Sequence, residues 1–403
     1  MNNHYAYKVW KKILSKKLSL ENIMHELTIS KLVTRGGANF IDGLTAIDRN
    51  INQPKYIVCN AEEGEPGTFK DRDLLLNYPE QLLEGMAIAG FIIGAQFGYV
   101  YIKHEFVEAF KLIQQAIKNA YNDGIFGQNL LNSDLNFDIN SLYGAGGYIA
   151  GEASAMLESI EGKKAFPRIK PPWPQTVGLY GSPTIVVNVE TLVNIPKIIE
   201  QGGDWYFKLS KTKLAGGNKI FSISGHVTNP GNYEVPLGMR FIELLKMAGG
   251  VKSGKKLKAV LPGGLSSAVL PAEIINNLNL DYGSLTKAGS TLGSGGIIIM
   301  DETTCMVEVL SRISRFFMIE SCGQCVPCRE GTSWLYRIVD RILKGQGLLR
   351  DLKVLDNVAE GIYGKNLCPL GDSAALSVKS FIKYFREEFI NKLKIGSKIY
   401  DQV

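Results

Sequence analysis

The chain has 403 residues, of which 45% are hydrophobic and 21% charged, and a formal net charge of +6, as expected for an ordinary globular protein of two or three domains. The positive charge is dispersed and lacks the clustered arginine and interleaved aromatic side chains of a nucleic-acid groove. No apolar run is long enough to span a bilayer, the N-terminus lacks a signal-peptide pattern, and six cysteines in 403 residues are few, which together favour a reducing compartment.

Two short helices, over residues 5–18 and 19–28, are predicted to precede a glycine-rich stretch at residues 33–44. Clustered glycines allow backbone N–H groups to approach an anion closely, and Arg35 beside them adds positive charge. A plain turn explains the same residues equally well. This stretch alone therefore leaves an anion site and a simple turn both open.

Strands alternate with helices over the next hundred residues, which predicts a mainly parallel sheet. The predicted elements are a strand at 55–60, a helix at 73–94, a strand at 100–103, a helix at 105–120 and a strand at 136–140. The first strand leads into a loop that carries Glu62, Glu63 and Glu65, an unusual composition for a surface loop. In open α/β sheets ligands bind outside the carboxyl ends of the strands, so we expect this loop to contact a ligand.

A second ligand-like stretch runs from Gly144 to Glu152 and leads into a predicted helix at residues 153–160. A glycine-rich turn before a helix N-terminus is suited to phosphate or another anion, although this turn does not match the standard dinucleotide fingerprint. A stiff, proline-rich segment follows and presents Lys170 and Trp173 outward.

The predicted secondary structure changes twice in the remainder of the chain. Residues 202–300 contain short strands and one short helix, which predicts a small β-grasp-like module with a structural or docking role. From residue 301 the apolar residues recur at helical spacing, and four antiparallel helices are expected, with Asp372 capping the last helix.

Four cysteines stand in and beside this helical region. Cys322, Cys325 and Cys328 have two residues between each and the next, and Cys368 follows about 40 residues later, a pattern typical of [4Fe–4S] ligation. Structural zinc and disulfide bonds are the alternatives, but zinc ribbons use two separated pairs and the chain has no secretory context. A cluster beside nucleotide-like glycine loops suggests electron transfer, with a flavin as the converter between hydride and single electrons.

These motifs together resemble the NADH-oxidising, flavin-carrying subunit of respiratory complex I, which is the family of F subunits of NADH-quinone oxidoreductase. That family is related to the diaphorase subunits of NAD-linked hydrogenases and formate dehydrogenases. The similarity extends from Arg35 to Glu388, and the matching stretches are residues 35–38, 59–72, 144–152, 170–172, 188–191 and 320–331. The resemblance implies an α/β FMN- and NADH-binding domain with a Rossmann-like parallel sheet at 1–200, a ubiquitin-like, SLBB-type β-grasp domain at 201–300, and a four-helix [4Fe–4S] domain at 301–403.

The resemblance also implies which residues bind the cofactors. FMN would be held by residues matching Gly36, Asn60, Glu62, Glu63, Tyr148, Gly151, Glu152, Val186, Asn188 and Thr191, and Arg35 and Gly37 belong to the same cofactor-binding loop. NADH would be stacked and clamped by residues matching Phe40, Glu65, Lys170 and Trp173. The cluster ligands would be Cys322, Cys325, Cys328 and Cys368.

The sequence departs from the family pattern mainly around the expected flavin. In the first glycine loop Thr34, Asn39, Asp42 and Thr45 replace family residues, including a lysine at the position of Thr45, and Asn39 is expected to tolerate a left-handed backbone. Further along, Ala150, Ala153 and Val187 replace a cysteine, a glutamate and an asparagine. A negative charge at Asp42 beside a phosphate is unfavourable.

The resemblance implies hydride transfer from NADH to FMN and single-electron transfer to the cluster, within NADH-quinone oxidoreductase. The implied partners are the thioredoxin-like [2Fe–2S] subunit and the large iron–sulfur subunit. The expected location is the cytoplasmic side of a bacterial membrane, or the matrix side in an organelle, with membrane contact only through the complex. Two alternatives stay open: an iron–sulfur scaffold subunit with a degenerate cofactor site, and the diaphorase subunit of a soluble hydrogenase or formate dehydrogenase.

Overall fold

A computed structural model describes residues 7–34 and 36–393 of the protein. The helices are α1 Lys8–Leu14, α2 Leu20–Ser30, α3 Phe40–Thr45, α4 Lys70–Asn77, α5 Pro79–Ile93, α6 Val107–Asn122, α7 Ala153–Ile160, α8 Val189–Gln201, α9 Gly203–Leu209, α10 Phe241–Met247, α11 Ala272–Ile275, α12 Tyr282–Lys287, α13 Met306–Glu320, α14 Val326–Leu343, α15 Arg350–Ile362 and α16 Pro369–Lys392. The strands are β1 Tyr56–Ala61, β2 Phe97–Ile102, β3 Asp138–Tyr143, β4 Thr184–Asn188, β5 Asn218–Gly225, β6 Gly231–Pro236, β7 Leu257–Leu261, β8 Leu270–Pro271 and β9 Gly296–Asp301.

The chain divides into two units. The first comprises Met1–Gly64, Phe69–Ile220 and Glu234–Gly238, and the second comprises Glu65–Thr68, Phe221–Tyr233 and Met239–Val403. The three-domain division with boundaries after residues 200 and 300 stays a prediction.

The sheet of the first unit has four strands in the order β3-β2-β1-β4, and every pair of neighbours is parallel. The chain therefore moves outward from β1 to β2 and β3 and then returns to pair β4 with the other side of β1. In such sheets the carboxyl ends of the two strands at the reversal enclose the crevice where ligands bind. The predicted parallel α/β architecture is confirmed, and the crevice lies between the ends of β1 and β4.

Side chains alternate between the two faces of this sheet, as the strand period requires. Ile57 and Cys59 face a large hydrophobic core that also contains buried residues of α5, α6 and α8. Val58 and Tyr101 face a smaller core that contains Met156 of α7. Helices on both faces cover the strands, so only the strand ends are left for ligands.

One predicted helix is two helices in the structure. The helix expected at residues 73–94 is broken at Tyr78, where α4 ends and α5 begins with Pro79 at its first position. Proline lacks the N–H that a continuous helix needs, but it is favoured in the first turn of a new helix. The break also places Lys70 at the start of α4, immediately after the acidic loop.

The second unit contains a five-stranded sheet in the order β6-β5-β9-β7-β8. Strand β9 is parallel to β5 and antiparallel to β7, so the sheet is mixed. The last four helices, α13 to α16, contact one another and make the C-terminal region helical, as predicted. None of the helices in the described residues combines the length and the apolar character needed to cross a membrane.

Candidate functional site

The carboxyl ends of β1 and β4 place two asparagines side by side. Asn60 and Asn188 are register partners in the parallel pair, and the Asn188 side-chain amide Nδ2 lies 3.4 Å from the Asn60 carbonyl oxygen. The Asn60 amide donates to the Gly151 carbonyl oxygen over 2.9 Å, and its Oδ1 accepts from the Glu62 N–H over 3.1 Å. Residues from three stretches that the sequence analysis identified separately therefore meet at this crevice.

The acidic loop after β1, which was expected to contact a ligand, carries buried carboxylates. Glu62 and Glu63 are both buried. Glu63 accepts from the backbone N–H groups of Asp71 (2.9 Å) and Arg72 (3.2 Å), so its carboxylate satisfies free donors at the positive N-terminus of α4. A loop that buries carboxylates at a strand end is part of the crevice wall, which is the edge of the sheet where a ligand contact was expected.

Glycines allow the loops around Glu62 to approach one another. A Cβ on Gly144 would lie 3.0 Å from Tyr101 Cε1 and would overlap the Glu62 carboxylate, and a Cβ on Gly151 would lie 3.2 Å from the Glu62 carbonyl oxygen. A Cβ on Gly64 would lie 3.2 Å from Tyr148 Cδ2. A side chain at Gly144 would therefore displace Glu62, and one at Gly64 or Gly151 would make tight contacts with its neighbour.

The first glycine loop behaves differently. Gly37 has φ +87°, which requires glycine, whereas Gly36 is exposed and a Cβ there would meet nothing within 4 Å. Among the described residues, nothing fills the space beside Gly36, and this open position leaves room for a bound group such as a nucleotide phosphate. Arg35, predicted to bind the cofactor here, lies outside the described residues.

The substitutions in this loop have structural roles of their own. Asn39 has φ −60°, so it does not use the left-handed conformation that asparagine tolerates; its side chain accepts from the Ile41 N–H over 3.0 Å and caps α3. Asp42 is exposed in the first turn of α3, where a negative charge interacts favourably with the helix dipole. Ala150 and Val187 are both buried in hydrophobic cores, so these two replacements do not line the crevice.

Three predicted residues form one group beside α7. Glu152 caps this helix by accepting from the Ala155 N–H over 2.9 Å, and its other oxygen lies 2.5 Å from Lys170 Nζ. Lys170 Nζ is 5.8 Å from the centre of the Trp173 ring, which is 56% exposed. An exposed indole beside a lysine offers a flat, polarisable surface and a positive charge to a ring-bearing anion.

The remaining predicted residues of this unit differ in accessibility. Tyr148, in the turn before α7, and Val186, in the middle of β4, are half-buried, and Thr191 is buried in the first turn of α8. Phe40 is only 1% exposed and belongs to the hydrophobic core. Because both faces of its ring are covered by protein, Phe40 cannot stack a nucleotide in this structure, and we remove it from the candidate NADH contacts.

Sequence reasoning missed a buried charged network behind the crevice. Lys70 is 0% exposed, and its Nζ contacts Asp71 Oδ1 (2.6 Å), Glu190 Oε2 (2.9 Å) and Asn188 Oδ1 (3.1 Å). Lys219 Nζ lies 3.6 Å from the same Glu190 oxygen. Burial alone would raise the pKa of Glu190, but Lys219, Lys70 and the Ile220 N–H together lower it to about 2. The sequence signal that could have indicated this network is the position of the charged residues 70, 71 and 190 beside apolar runs.

Glu65 belongs to the second unit. It is buried, and its Oε1 accepts from the Ser266 N–H over 2.8 Å. A Cβ on Gly264 would lie 2.5 Å from both Glu65 Cγ and Oε1. The predicted NADH role of Glu65 stays a prediction, because the structure shows this carboxylate engaged within its own unit.

The four predicted cluster cysteines lie in the helical region, at the loops and first helical turns, and none forms a disulfide bond. Cys325 is the N-cap of α14, Cys328 lies in the first turn of that helix, and Cys368 is the N-cap of α16. The N–H of Leu367, the residue before Cys368, lies 3.4 Å from Cys325 Sγ. The distant fourth cysteine is therefore brought to the loop that carries the other three.

The donor set suits a cluster with several iron atoms. Among residues 7–34 and 36–393, no three His, Cys, Asp or Glu side chains converge on the position of one metal ion. A [4Fe–4S] cubane makes a different demand, because each thiolate binds its own iron. Ser321 Oγ lies 3.3 Å from Cys328 Sγ and provides a hydrogen bond of the kind that tunes such ligands.

Asp372 does not act as the predicted helix cap. It lies inside the first turn of α16, and its Oδ1 accepts from the Gly364 N–H (2.9 Å) and the Asn366 amide (3.1 Å). The helix begins earlier than expected because Pro369 is favoured at its first position. Asp372 therefore fixes the loop that presents Cys368.

Comparison with known proteins agrees with this arrangement. Residues 27–197 match the Nuo51 FMN-binding domain, residues 220–265 match the SLBB domain, and residues 308–392 match the NADH-ubiquinone oxidoreductase-F iron–sulfur binding region. The class is thus a flavin-type α/β domain joined in one chain to an iron–sulfur region.

Curated relatives match nearly the whole chain. The F 2 subunit of NADH-quinone oxidoreductase of Rhizobium meliloti (strain 1021) is 44% identical over 388 residues, which cover 96% of this chain and 91% of the relative. The F subunit of the Rickettsia felis NADH-quinone oxidoreductase is 45% identical over 378 residues, covering 93% and 89%. The chain belongs to the family of F subunits of NADH-quinone oxidoreductase.

Solved structures resemble the chain as well. The H2-reduced NAD+-reducing [NiFe]-hydrogenase matches 98% of this chain with a TM-score of 0.87 and 32% identity, and the air-oxidised state matches 97% with a TM-score of 0.83 and 31% identity. This chain spans only 66% of the first hydrogenase chain and 67% of the second.

Proposed function

We propose that this chain is the NADH-oxidising, electron-input subunit of NADH-quinone oxidoreductase. One observation carries the proposal: the crevice between β1 and β4 is lined by residues from three separate loops, and the same chain carries four cysteines with the spacing of a [4Fe–4S] site. FMN, when bound, accepts a hydride and releases electrons singly, and an iron–sulfur cluster carries one electron at a time.

The residues of the crevice would hold the flavin by its shape and polar groups. This loop would approach a phosphate at Gly36, where a Cβ would meet nothing within 4 Å among the described residues, while the Gly37 N–H donates to the Thr34 carbonyl oxygen over 2.9 Å and holds the turn. Glu62, Gly151 and Tyr148 line the wall at the carboxyl ends of the strands. The protein here supplies position and hydrogen bonds rather than a proton donor.

The group of Glu152, Lys170 and Trp173 would bind NADH. The exposed Trp173 ring offers a face for a flat ring, and Lys170 offers a positive charge for a phosphate. Glu152 orients the lysine by its 2.5 Å contact. Glu65 would orient the ligand from its own loop, as the resemblance implies.

The helical region would hold the cluster through Cys322, Cys325, Cys328 and Cys368. Two helix N-termini, those of α14 and α16, begin at cluster cysteines, and the positive ends of helix dipoles stabilise thiolates and an anionic cluster. We propose that α13 to α16 form a four-helix bundle. We also propose that the mixed sheet of the second unit is the ubiquitin-like β-grasp domain, which the SLBB match at residues 220–265 supports.

The sequence identities favour a complex I type of host over a soluble hydrogenase. The chain is 44% identical to the Rhizobium meliloti F 2 subunit and 32% identical to the hydrogenase chain. The partners we propose are a thioredoxin-like [2Fe–2S] subunit and a large iron–sulfur subunit, with peripheral membrane attachment through the complex.

A visible spectrum of the purified protein tests the proposal. We expect flavin absorption bands that NADH bleaches under anaerobic conditions, superimposed on the broad absorption of an iron–sulfur cluster. A cluster spectrum without flavin, even after incubation with FMN, would instead indicate the iron–sulfur scaffold. A colourless protein that binds zinc would exclude both functions.

A further inference from the structure

The buried network behind the crevice is electrically balanced. Two lysines, Lys70 and Lys219, face two carboxylates, Asp71 and Glu190, and Lys70 contacts both carboxylates directly. Buried charges are tolerated when they are paired and hydrogen-bonded. Because its charge is already neutralised at short range, Lys70 is not placed to bind a cofactor phosphate, and its role must be sought in what it holds.

Lys70 holds the side-chain amide of Asn188. The Asn188 Oδ1 accepts from Lys70 Nζ (3.1 Å) and from the Glu190 N–H (3.1 Å). Its Nδ2 donates to Asp71 Oδ2 (2.7 Å) and lies 3.4 Å from the Asn60 carbonyl oxygen. An asparagine amide has two acceptor and two donor positions, and here protein groups occupy all four. The amide therefore has no group left for a ligand, although the resemblance assigns Asn188 to FMN contact.

The arrangement continues from Asn188 to the crevice wall. Asn188 contacts the Asn60 carbonyl, while the Asn60 side chain fixes the Gly151 carbonyl (2.9 Å) and the Glu62 N–H (3.1 Å). A turn of the Asn188 amide would bring its NH2 group against the Lys70 ammonium, two donors facing each other. Lys70 thus selects the amide orientation that matches the Asn60 carbonyl.

We propose that Lys70 is a positioning residue of the flavin site and that it acts through the Asn188 amide. This inference rests on the proposed function, because it assumes that the crevice binds FMN. Asn188 belongs to the same series of hydrogen bonds, which we call the relay, and does not contact the cofactor with its side chain. The relay runs from Lys70 through Asn188 to Asn60, and so to the loops that carry Gly151 and Glu62.

Lys219 provides a matched control. Both lysines are buried and both contact Glu190 Oε2, and Lys70 also contacts Asp71 and Asn188. Lys70→Met and Lys219→Met each remove one buried cation from Glu190, so the effect of that lost charge is present in both variants. An effect transmitted through the Asn188 amide weakens FMN binding in Lys70→Met but not in Lys219→Met.

The experiment measures the FMN dissociation constant of the full-length, FMN-depleted protein by flavin fluorescence, and the visible circular dichroism of the bound flavin. We expect Lys70→Met to weaken FMN binding about tenfold or more and to change the flavin circular dichroism. Lys219→Met is expected to stay within about twofold of the wild type with an unchanged spectrum. Equal weakening in both variants, or wild-type binding in Lys70→Met, would overturn the proposal.

A double variant covers the possibility that Lys70→Met does not fold. Lys70→Met combined with Glu190→Gln removes one positive and one negative charge, so the network stays balanced while the Asn188 contact is lost. We expect this variant to fold and to show the same weak FMN binding and altered spectrum, and wild-type binding there overturns the positioning role. A wild-type protein that binds no FMN overturns the proposed function itself, and with it this inference.

Discussion

Replacing Gly144 by alanine tests the geometry of the crevice wall. A Cβ at this position would lie 3.0 Å from Tyr101 Cε1 and 3.2 Å from Glu62 Cδ, and it would overlap the Glu62 carboxylate. The backbone of Gly144 does not require glycine, since its φ is not in the left-handed region, so the perturbation is steric. Forcing one extra methyl into packed surroundings costs about 1–3 kcal/mol, which corresponds to about 5- to 150-fold in a binding constant.

If Glu62 moves to relieve the overlap, the crevice wall changes shape and FMN binding is weakened. We expect Gly144→Ala to raise the FMN dissociation constant, measured by fluorescence titration of the FMN-depleted protein, within that range. Gly43→Ala is the control, because its Cβ would meet only Ile185 Cδ1 at an ordinary 3.7 Å. A dissociation constant for Gly144→Ala within about twofold of the control, with the same melting temperature, would refute the reasoning.

Three further predictions concern other parts of the chain. Cys368→Ser is expected to lose most of its bound iron and sulfide while retaining FMN, and chemical iron and sulfide assays beside a flavin assay check this; full iron content would contradict it. Trp173→Ala is expected to raise the KM for NADH several-fold because an exposed stacking face is lost, whereas Tyr180→Ala, an equally exposed aromatic, should not. The pKa of Glu190 is lowered from 4.5 to about 2, so its stabilisation is complete above about pH 4.5 and is lost as the pH falls towards 2. Urea unfolding of wild type and Glu190→Gln should show their difference shrinking by about 3 kcal/mol over that interval, and a constant difference would exclude the role of the buried pairs.

Local sequence signals predicted much of the framework. Strand and helix alternation gave the parallel sheet, and the helix at residues 153–160 has the predicted bounds. The cysteine spacing identified the loops that the structure brings together, since Leu367 contacts Cys325. The strand, helix and three-cysteine patterns were predictable because each depends on residues within a few positions of one another, and the distant Cys368 was identified from its residue type.

Features that depend on distant partners were not predictable from the pattern. Lys70 appeared as one more charge in a surface loop because its partner Glu190 lies 120 residues further along the chain, and only the pairing of β1 with β4 brings the two together. Phe40 was predicted to contact NADH but belongs to the core. The sequence could not separate the two roles, because an aromatic residue beside a glycine loop is compatible with both. Asn39 was expected to tolerate a left-handed backbone, but Gly37 takes that conformation and Asn39 caps a helix.

The central claim is that one chain passes electrons from NADH through a flavin to an iron–sulfur cluster. Electron paramagnetic resonance of the purified protein, reduced anaerobically by NADH in one sample and by dithionite in another, tests it most directly. The account predicts the same reduced-cluster signal with both reductants, and its loss from the NADH sample when FMN is removed. A cluster that dithionite reduces but NADH does not, in protein that contains its flavin, would contradict the account.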